Sequence, residues 1–162
     1  MLYKVLIFNF LGCLIFCSQS AYSLDIKDCG SYFSFDDIEV EGCEADYVAC
    51  TLYIGHTLNI SFTINTGKGK GTFNIDADLI NDVVFIVSGG PKFNLTASPG
   101  NPCEVLTCPL DINYKATYEG YIYVDTKYQP LGNAYLQWIM ETADEEEQLL
   151  CFQFPITLQY LD

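Results

Sequence analysis

The sequence predicts an all-β protein that folds as a β-sandwich. Apolar residues recur at every second position through most of the chain, which is the period of a strand with one buried face. About seven such short segments are separated by turn signals rich in glycine, proline, asparagine and aspartate. The chain shows neither an amphipathic helical pattern nor an internal repeat. This combination is typical of a sandwich, although it does not determine the strand order.

The first half of the chain contains three predicted strands. His56–Ile64 alternates strictly, which predicts a half-buried strand. Its apolar face consists of Leu58, Ile60, Phe62 and Ile64. After a flexible turn at Gly67–Gly71, the alternation resumes over Thr72–Leu79. Val83–Val87 is a continuous apolar run rich in β-branched residues, so we expect it to be buried on both faces.

The second half contains a long predicted loop and three further strands. Ser88–Pro102 carries three glycines and three prolines, which predicts a loop. Strands are predicted over Ile112–Tyr118, Ala134–Met140 and Leu150–Tyr160, with an acidic turn at Asp144–Glu147. The last strand places Leu150, Phe152, Phe154, Ile156, Leu158 and Tyr160 on one face. Pro155 has no backbone N–H to donate, which predicts a sheet edge at that point.

Residues 1–23 have the pattern of a secretory signal peptide. Lys4 supplies a positive charge, an apolar run of about 12 residues follows, and Ala21-Tyr22-Ser23 offers the small residues that signal peptidase recognises. We expect cleavage before Leu24, with a cut after Ser20 as the alternative. A membrane-spanning helix needs about 20 apolar residues, so an N-terminal anchor is disfavoured. Residues 24–162 then form one secreted domain.

The cysteine content agrees with secretion. Cys13 and Cys17 lie in the predicted signal, which leaves six cysteines in the mature chain. An even set in a secreted protein predicts three disulfides, for which six cysteines allow 15 connectivities. A zinc site is disfavoured, because Cys103 and Cys108 are the tightest pair and neither a second close pair nor a histidine completes a tetrahedron.

The charge of the mature chain is strongly negative. The mature chain contains all 21 acidic residues of the sequence and six of the seven basic residues, since only Lys4 lies in the predicted signal. The net charge of the mature chain is therefore 6 − 21 = −15. Nucleic acid is therefore not expected as a partner, since phosphate neutralisation needs a basic patch. A polyanionic ligand is disfavoured for the same reason, and the acidity itself favours solubility.

Motifs for catalysis are weak, and we expect neither an enzyme nor a cofactor. His56, the single histidine, lies at a strand start without a surrounding motif. The carboxylate groups at Asp36-Asp37 and Glu145–Glu147 lie in acidic, turn-like stretches that are typical of solvated surface. The chain has no Gly-x-Ser-x-Gly sequence for a serine nucleophile and no P-loop spacing.

Two sequons and a large aromatic content remain to be explained. Asn59-Ile60-Ser61 and Asn94-Leu95-Thr96 are N-glycosylation sequons, and we expect both asparagines to face solvent and to be glycosylated. The mature chain also has eight Phe, ten Tyr and one Trp. These rings suit either a well-packed sandwich core or an apolar pocket between the sheets, and composition alone favours the core.

An ordered set of short motifs covers the whole mature chain. It consists of Lys27-Asp28-Cys29-Gly30-Ser31, Cys43, Cys50, Leu52, Gly55, Asn59-Ile60-Ser61-Phe62, Cys103, Cys108-Pro109-Leu110, Val124, Tyr128, Pro130, Trp138, Cys151-Phe152 and Pro155-Ile156. Together these motifs resemble the ML lipid-recognition domain family. The likeness is greatest to its Niemann–Pick type C2 cholesterol-binding proteins, with the group 2 mite allergens as cousins.

The resemblance implies an architecture and a disulfide pattern. The fold would be an immunoglobulin-like sandwich of two antiparallel sheets with an apolar pocket between them. The pairs would be Cys29–Cys151, Cys43–Cys50 and Cys103–Cys108. The first pair closes a loop of more than 120 residues, which the chain-entropy model values at about 4–5 kcal/mol.

The resemblance also implies a ligand and the residues that hold it. Phe93, Val124 and Tyr128 would form a gate, and the tunnel would be lined further in by Leu52, Leu136 and Trp138. The ligand would be a sterol, handed over at a membrane surface or to a membrane sterol transporter, in the lysosomal lumen or outside the cell. Independently of the resemblance, we expect a monomer by default.

Two other functions fit the same resemblance. Glycolipid recognition in innate immunity or as a receptor accessory usually requires basic residues at the pocket mouth, and this chain has no arginine. The second is a carrier of fatty acids or semiochemicals.

The cysteine argument predicts that the mature protein contains no free thiol. Six cysteines that form three intramolecular disulfides should give zero reactive groups in a thiol titration of the unfolded, unreduced protein. Reduction before the same titration should release six, which is the control. Any thiol detected without reduction would contradict the prediction.

Overall fold

Residues 24–43, 48–68, 79–111, 113–144 and 147–161 are described by a computed structural model of the chain. The predicted signal peptide lies outside the described residues, as do residues 72–78 of one predicted strand, Ile112, and residues 145–146 of the predicted acidic turn. The described part forms nine strands and two short 3₁₀ helices, at Thr66–Lys68 and Pro102–Glu104. None of its helices is long and apolar enough to cross a membrane.

The nine strands follow one another along the described residues. Their bounds are β1 Lys27–Asp28, β2 Ser34–Val40, β3 Cys50–Tyr53, β4 Thr57–Asn65, β5 Leu79–Val87, β6 Lys92–Ser98, β7 Lys115–Tyr123, β8 Leu131–Thr142 and β9 Gln148–Gln159. The predicted all-β class is therefore confirmed.

The strands form one sheet that curls into two layers. The order is β1-β9-β8-β5-β6-β7-β4-β2, with every pair antiparallel, and β3 adds to β9 in parallel. β6 joins the layers, because its first half pairs with β5 and its second half, from Thr96, pairs with β7. The layer with β9, β8 and β5 faces the layer with β7, β4 and β2 across the core. The predicted sandwich is thus correct, apart from the parallel β3.

The predicted alternation is confirmed in the strands that carry most of the core. Leu58, Ile60, Phe62 and Ile64 of β4 are all buried. The same holds for β8, whose buried face consists of Ala134, Leu136, Trp138, Met140 and Thr142. In β9 the buried face runs from Leu150 to Leu158, but Tyr160 lies beyond the strand and is 52% exposed. The strand predicted to end at Tyr160 therefore ends one residue earlier, at Gln159.

Pro155 lies where β9 has no neighbour on one side. β1 pairs with β9 as far as Gln153, and β3 begins its pairing at Ile156. On the other side, Tyr135 of β8 is the partner of Pro155. The missing N–H of proline therefore falls in the gap between two short strands, which agrees with the predicted local edge.

The predicted loop over Ser88–Pro102 was wrong, because it contains strand β6. The glycines and prolines that suggested a loop lie outside the strand, before Lys92 and after Ser98. Within it, Phe93, Leu95 and Ala97 alternate toward the core while Asn94 and Thr96 are exposed. The boundaries of β7 also differ from the prediction, since it runs from Lys115 to Tyr123.

Three disulfides connect the chain in the pairs that the family resemblance implied. Cys29–Cys151 links the N-terminal segment to β9 with a Cα–Cα distance of 5.1 Å. Ser31 reinforces this junction, because its hydroxyl donates to the carbonyl of Cys151 and accepts from the Cys151 N–H, each at 2.9 Å. Cys43–Cys50 joins the end of β2 to the start of β3, and Cys103–Cys108 closes a short loop. The second disulfide therefore links the two layers.

Four aromatic rings fill one half of the core, and we call them the four-ring cluster: Phe62, Tyr118, Trp138 and Phe152. Phe62 stacks on Tyr118 at 4.9 Å between ring centroids and meets Phe152 edge-on at 5.2 Å. Trp138 contacts Tyr118 at 5.6 Å. Because Phe62 and Tyr118 belong to one layer and Trp138 and Phe152 to the other, these contacts span the sandwich.

Hydrogen bonds hold the four-ring cluster in place. The Trp138 indole N–H donates to Asn81 Oδ1 at 3.1 Å, and Asn81 Nδ2 donates to the Tyr118 hydroxyl at 2.8 Å. Asn81 Nδ2 also donates to the carbonyl of Pro99 at 3.0 Å, and the Tyr118 hydroxyl donates to the same carbonyl at 3.3 Å. Burial raises the pKa of Tyr118, so the hydroxyl stays neutral and able to donate.

Gly120 makes room for the Tyr118 ring. A Cβ atom at position 120 would lie 2.6 Å from the Tyr118 hydroxyl oxygen. We predict that Gly120→Ala lowers the free energy of unfolding by about 1–3 kcal/mol, because the added Cβ displaces the Tyr118 ring from its hydrogen-bond partners. Gly132→Ala is the matched control, since a Cβ there meets no atom within 4 Å and should change stability by less than about 0.5 kcal/mol. Equal urea midpoints for the two variants would contradict this account.

Candidate functional site

A second group of aromatic rings lies in the other half of the core, and we call it the three-ring cluster: Phe85, Phe93 and Tyr128. Phe85 stacks on Phe93 at 4.8 Å and meets Tyr128 edge-on at 4.9 Å. Phe93 and Tyr128 are 6.0 Å apart. Two of the predicted gate residues are therefore brought together, and Phe85 lies between them and the interior.

Tyr128 is held by its hydroxyl and by the loop around it. The hydroxyl donates to the carbonyl oxygen of Asn94 at 2.6 Å. The loop is shaped by Asp125, whose carboxylate accepts the Lys127 backbone N–H at 3.0 Å and forms an ion pair with its ammonium at 3.2 Å. The hydrogen bond from the Lys127 backbone N–H makes the largest contribution to lowering the pKa of the exposed Asp125 carboxyl, and the Lys127 ammonium lowers it further. The same ammonium lies 5.1 Å from the centroid of the Tyr128 ring.

Val124, the third predicted gate residue, is almost completely buried. Its carbonyl accepts from Gly55 N–H at 2.7 Å and its N–H donates to the His56 carbonyl at 3.0 Å. Both partners belong to the turn that connects β3 in one layer to β4 in the other. Val124 is thus fixed beside the crossing between the layers rather than within the three-ring cluster.

The residues predicted to line a tunnel are divided between the two halves of the core. Leu136 is the register partner of Phe85 and so lies beside the three-ring cluster. Leu52 is paired with Leu158 near the end of β9 and is buried. Trp138 belongs instead to the four-ring cluster, where its indole nitrogen is hydrogen-bonded.

A cleft of ≈ 390 Å³ opens between β3 and β4, at the side of the sandwich opposite β6. Its apolar lining includes Leu52, Leu58 and Val124, which are core residues of both layers. Its polar rim includes Glu41, His56 and Thr57. The cleft therefore leads from solvent to Leu52 and Val124, two residues that were predicted to contact the ligand.

A larger groove of ≈ 640 Å³ lies on the outer surface of β2, β4 and β7 and borders the cleft, since Glu41 and Asn59 line both. Its outward-facing side chains include Glu39, Glu41, Asn59, Glu119 and Tyr121. These side chains point away from the core, although the core residues Val40 and Ile60 also line the groove.

Metal binding finds no support in the described residues. They contain no group of three or more histidine, cysteine, aspartate or glutamate side chains that could hold a metal ion. His56 is exposed in the turn between β3 and β4, where its ring contacts Tyr53 at 6.3 Å between centroids.

Two central residues were missed by the sequence analysis. Phe85 was included only as part of an apolar run, although an aromatic ring in the middle of a buried strand could have indicated a core contact. Asn81 gave no comparable signal, because a polar residue between two apolar segments usually marks a turn. Its role depends on Tyr118 and Trp138, which are 37 and 57 residues away in the sequence.

One family model covers most of the chain. The model of the ML domain family matches residues 23–158. Mite group 2 allergen Pso o 2 from Psoroptes ovis is 24% identical over 91 residues, which are 56% of this chain. The alignment spans 57% of the allergen's length.

Two solved structures are similar to the chain, and the first of them shares its fold. A Niemann-Pick type C2 protein from Japanese carpenter ant superposes with a TM-score of 0.65 and 18% identity, over 83% of this chain and 98% of its own. Chicken MD-1 complexed with lipid IVa gives a TM-score of 0.49 and 18% identity, over 84% of this chain and 88% of its own.

Proposed function

The chain belongs to the ML domain family, and on that premise we propose that it is a carrier that binds a sterol between its two layers and transfers it. Members of this family are lipid-binding carriers and recognition proteins, and the fold found here is a lipid-binding fold. The proposal adds the site within the fold, the class of lipid and its transfer to a membrane or a partner protein.

The observation that carries the proposal is the cleft between β3 and β4. It is open to solvent at Glu41 and His56, and its apolar lining reaches the core at Leu52 and Val124. A lipid that enters here would extend across the core toward the three-ring cluster, which lies on the β6 side of the sandwich. The four-ring cluster, with its hydrogen bonds between the layers, would form the closed end of the binding space.

The energetic balance favours opening at the three-ring cluster. Moving Tyr128 away breaks its bond to Asn94 O, and a hydrogen bond of this kind contributes about 0.5–1.5 kcal/mol net. Burying about 400–500 Å² of an apolar ligand yields roughly 10–12 kcal/mol before association costs. After those costs, micromolar to nanomolar affinity is reachable without a charged anchor. Opening the four-ring cluster would instead break the connected bonds of Asn81, Trp138 and Tyr118.

The residues take different roles in this proposal. Phe93 and Tyr128, the predicted gate, move apart to admit the inner end of the ligand, while Val124, Leu52 and Leu136 contact it. Trp138 forms the floor rather than the wall, because it is held in the four-ring cluster.

Charge and composition support an uncharged lipid such as a sterol. The mature chain has no arginine, and Glu41 lies at the rim of the cleft. A phosphorylated lipid headgroup would meet a like-charged surface, which disfavours its binding. We further propose that the protein works as a secreted monomer, outside the cell or in the lysosomal lumen, with transient contact to membranes or a membrane sterol transporter.

Two substitutions test the gate and the lining. Val124→Phe should reduce the affinity for a fluorescent sterol at least tenfold, because the added ring occupies the space of the ligand. Tyr128→Ser should also weaken sterol binding, because it removes the ring that closes the gate. Fluorescence titration gives the dissociation constant, and circular dichroism verifies that each variant is folded. The matched controls are Val105→Phe and Tyr123→Ser at exposed positions. If both folded variants bind the sterol as the wild type does, the assigned site is wrong.

The class of lipid is tested on protein purified without denaturation from a secreting eukaryotic host. Mass spectrometry of its lipid extract should show a sterol in near-stoichiometric amount. The reason is that an apolar site without a cationic anchor favours an uncharged lipid over a charged one. Protein heated and washed before extraction is the control. A phosphorylated glycolipid or a fatty acid in place of the sterol would overturn the sterol assignment.

A further inference from the structure

The outer groove of β2, β4 and β7 contains one of the two sequon asparagines. Asn59 lies on β4 with its side chain exposed, and Ile60 and Ser61 complete the sequon along the groove floor. The Asn59 Nδ2 atom donates a hydrogen bond to the Glu41 carboxylate, which is also part of the groove. The nitrogen that would carry a glycan is therefore held inside a groove of ≈ 640 Å³.

An exposed aromatic ring lies directly across from this asparagine. Tyr121 of β7 is the register partner of Asn59, and its side chain is 44% exposed. Residues directly opposite in an antiparallel pair have Cβ atoms about 4.5–5.5 Å apart, so a group attached to one can contact the other. Tyr121 thus presents a ring beside the attachment atom.

The remaining groove side chains suit a sugar. A pyranose has an apolar face of C–H groups that can pack on an aromatic ring, and its hydroxyl and amide groups donate hydrogen bonds. Glu39, Glu41 and Glu119 supply carboxylate oxygens, which only accept when ionised. A ring on one side and acceptors around it form a complementary surface for a neutral carbohydrate.

We propose that the groove is the seat of an N-glycan attached to Asn59, with its first N-acetylglucosamine packed on Tyr121. In the attachment step, the bond between Asn59 Nδ2 and sugar C1 forms, and the bond between C1 and the phosphate of a lipid diphosphate donor breaks. One amide proton and the lipid diphosphate leave. The second N–H of Nδ2 remains and can keep its bond to Glu41. The inference requires that the chain enters the secretory pathway, but not that it binds a sterol.

The test is a cycle of variants, each with Thr96→Ala to remove the second sequon. Proteins secreted from a eukaryotic host are compared by their thermal unfolding midpoints. With the Asn59 glycan present, Tyr121→Ala should lower the midpoint by about 3–5 °C, since it removes a ring contact. In an Asn59→Gln background, the same substitution should lower it by less than about 1 °C, because the side chain is exposed.

Two controls separate sugar packing from ordinary strand effects. Tyr123→Ala removes an equally exposed ring on the same face of β7 but outside the groove, so its effect should not depend on the glycan. Tyr121→Phe keeps the ring and should retain the wild-type midpoint in both backgrounds. Trimming the glycan enzymatically to one N-acetylglucosamine should preserve the Tyr121→Ala effect.

Three results would overturn the proposal. One is an intact mass that shows no glycan at Asn59. Another is a Tyr121→Ala effect of equal size with and without the glycan, which would make the ring a contact within the protein alone. The third is loss of the effect on trimming, because the first sugar would then not be the group in contact. None of these outcomes depends on lipid binding.

Discussion

The hydrogen bonds among Asn81, Tyr118 and Trp138 are the constraint on which the arrangement of the core depends. Asn81 accepts from the indole of Trp138 and donates to the hydroxyl of Tyr118, and these three residues come from β5, β8 and β7. Buried polar groups are costly when they lose their partners, so the bonds strongly favour one arrangement of the rings. They also connect the two layers, since Tyr118 and Trp138 belong to opposite sides of the sandwich. The half of the core around them is consequently fixed.

The other half of the core is held mainly by apolar contacts. Among the described residues, its three rings are not joined by a comparable hydrogen-bond network. Tyr128 donates a hydrogen bond from its hydroxyl to the carbonyl oxygen of Asn94. Apolar contacts are non-directional, so replacing one apolar neighbour by another costs little. A lipid can therefore replace side-chain contacts in this half, whereas in the four-ring cluster it would leave buried polar groups without partners. Under the proposed function, this difference would allow one fold to be both stable and able to open.

Much of the fold could be predicted from the sequence, because alternation is a local property. The buried faces of β4, β8 and most of β9 follow directly from residues such as Phe62, Trp138 and Phe152. β6 was missed because its alternating pattern is short and is flanked on both sides by glycines and prolines, which predict a loop. The parallel pairing of β3 with β9 joins residues more than 100 positions apart, and no local pattern records it. The disulfide pairs were implied by the family resemblance rather than by spacing.

The candidate site was harder to predict than the fold, for the same physical reason. Phe93 and Tyr128 come together as the resemblance implied, but the resemblance did not place Trp138 in a hydrogen-bonded cluster. That position depends on Asn81, whose polar side chain has no local sequence signal, and on the empty space at Gly120. Side-chain networks that join distant strands are visible only once the strands are placed.

Hydrogen exchange with and without bound cholesterol tests the central claim, that one half of the core is fixed and the other opens. The account predicts that cholesterol changes the exchange of backbone amides around Phe93 in β6 and in the Val124–Tyr128 segment. Amides next to Asn81 and Trp138 should exchange slowly in both states and change little, because their network persists. A uniform change over the whole sandwich, or a change confined to the strands of the four-ring cluster, would contradict it.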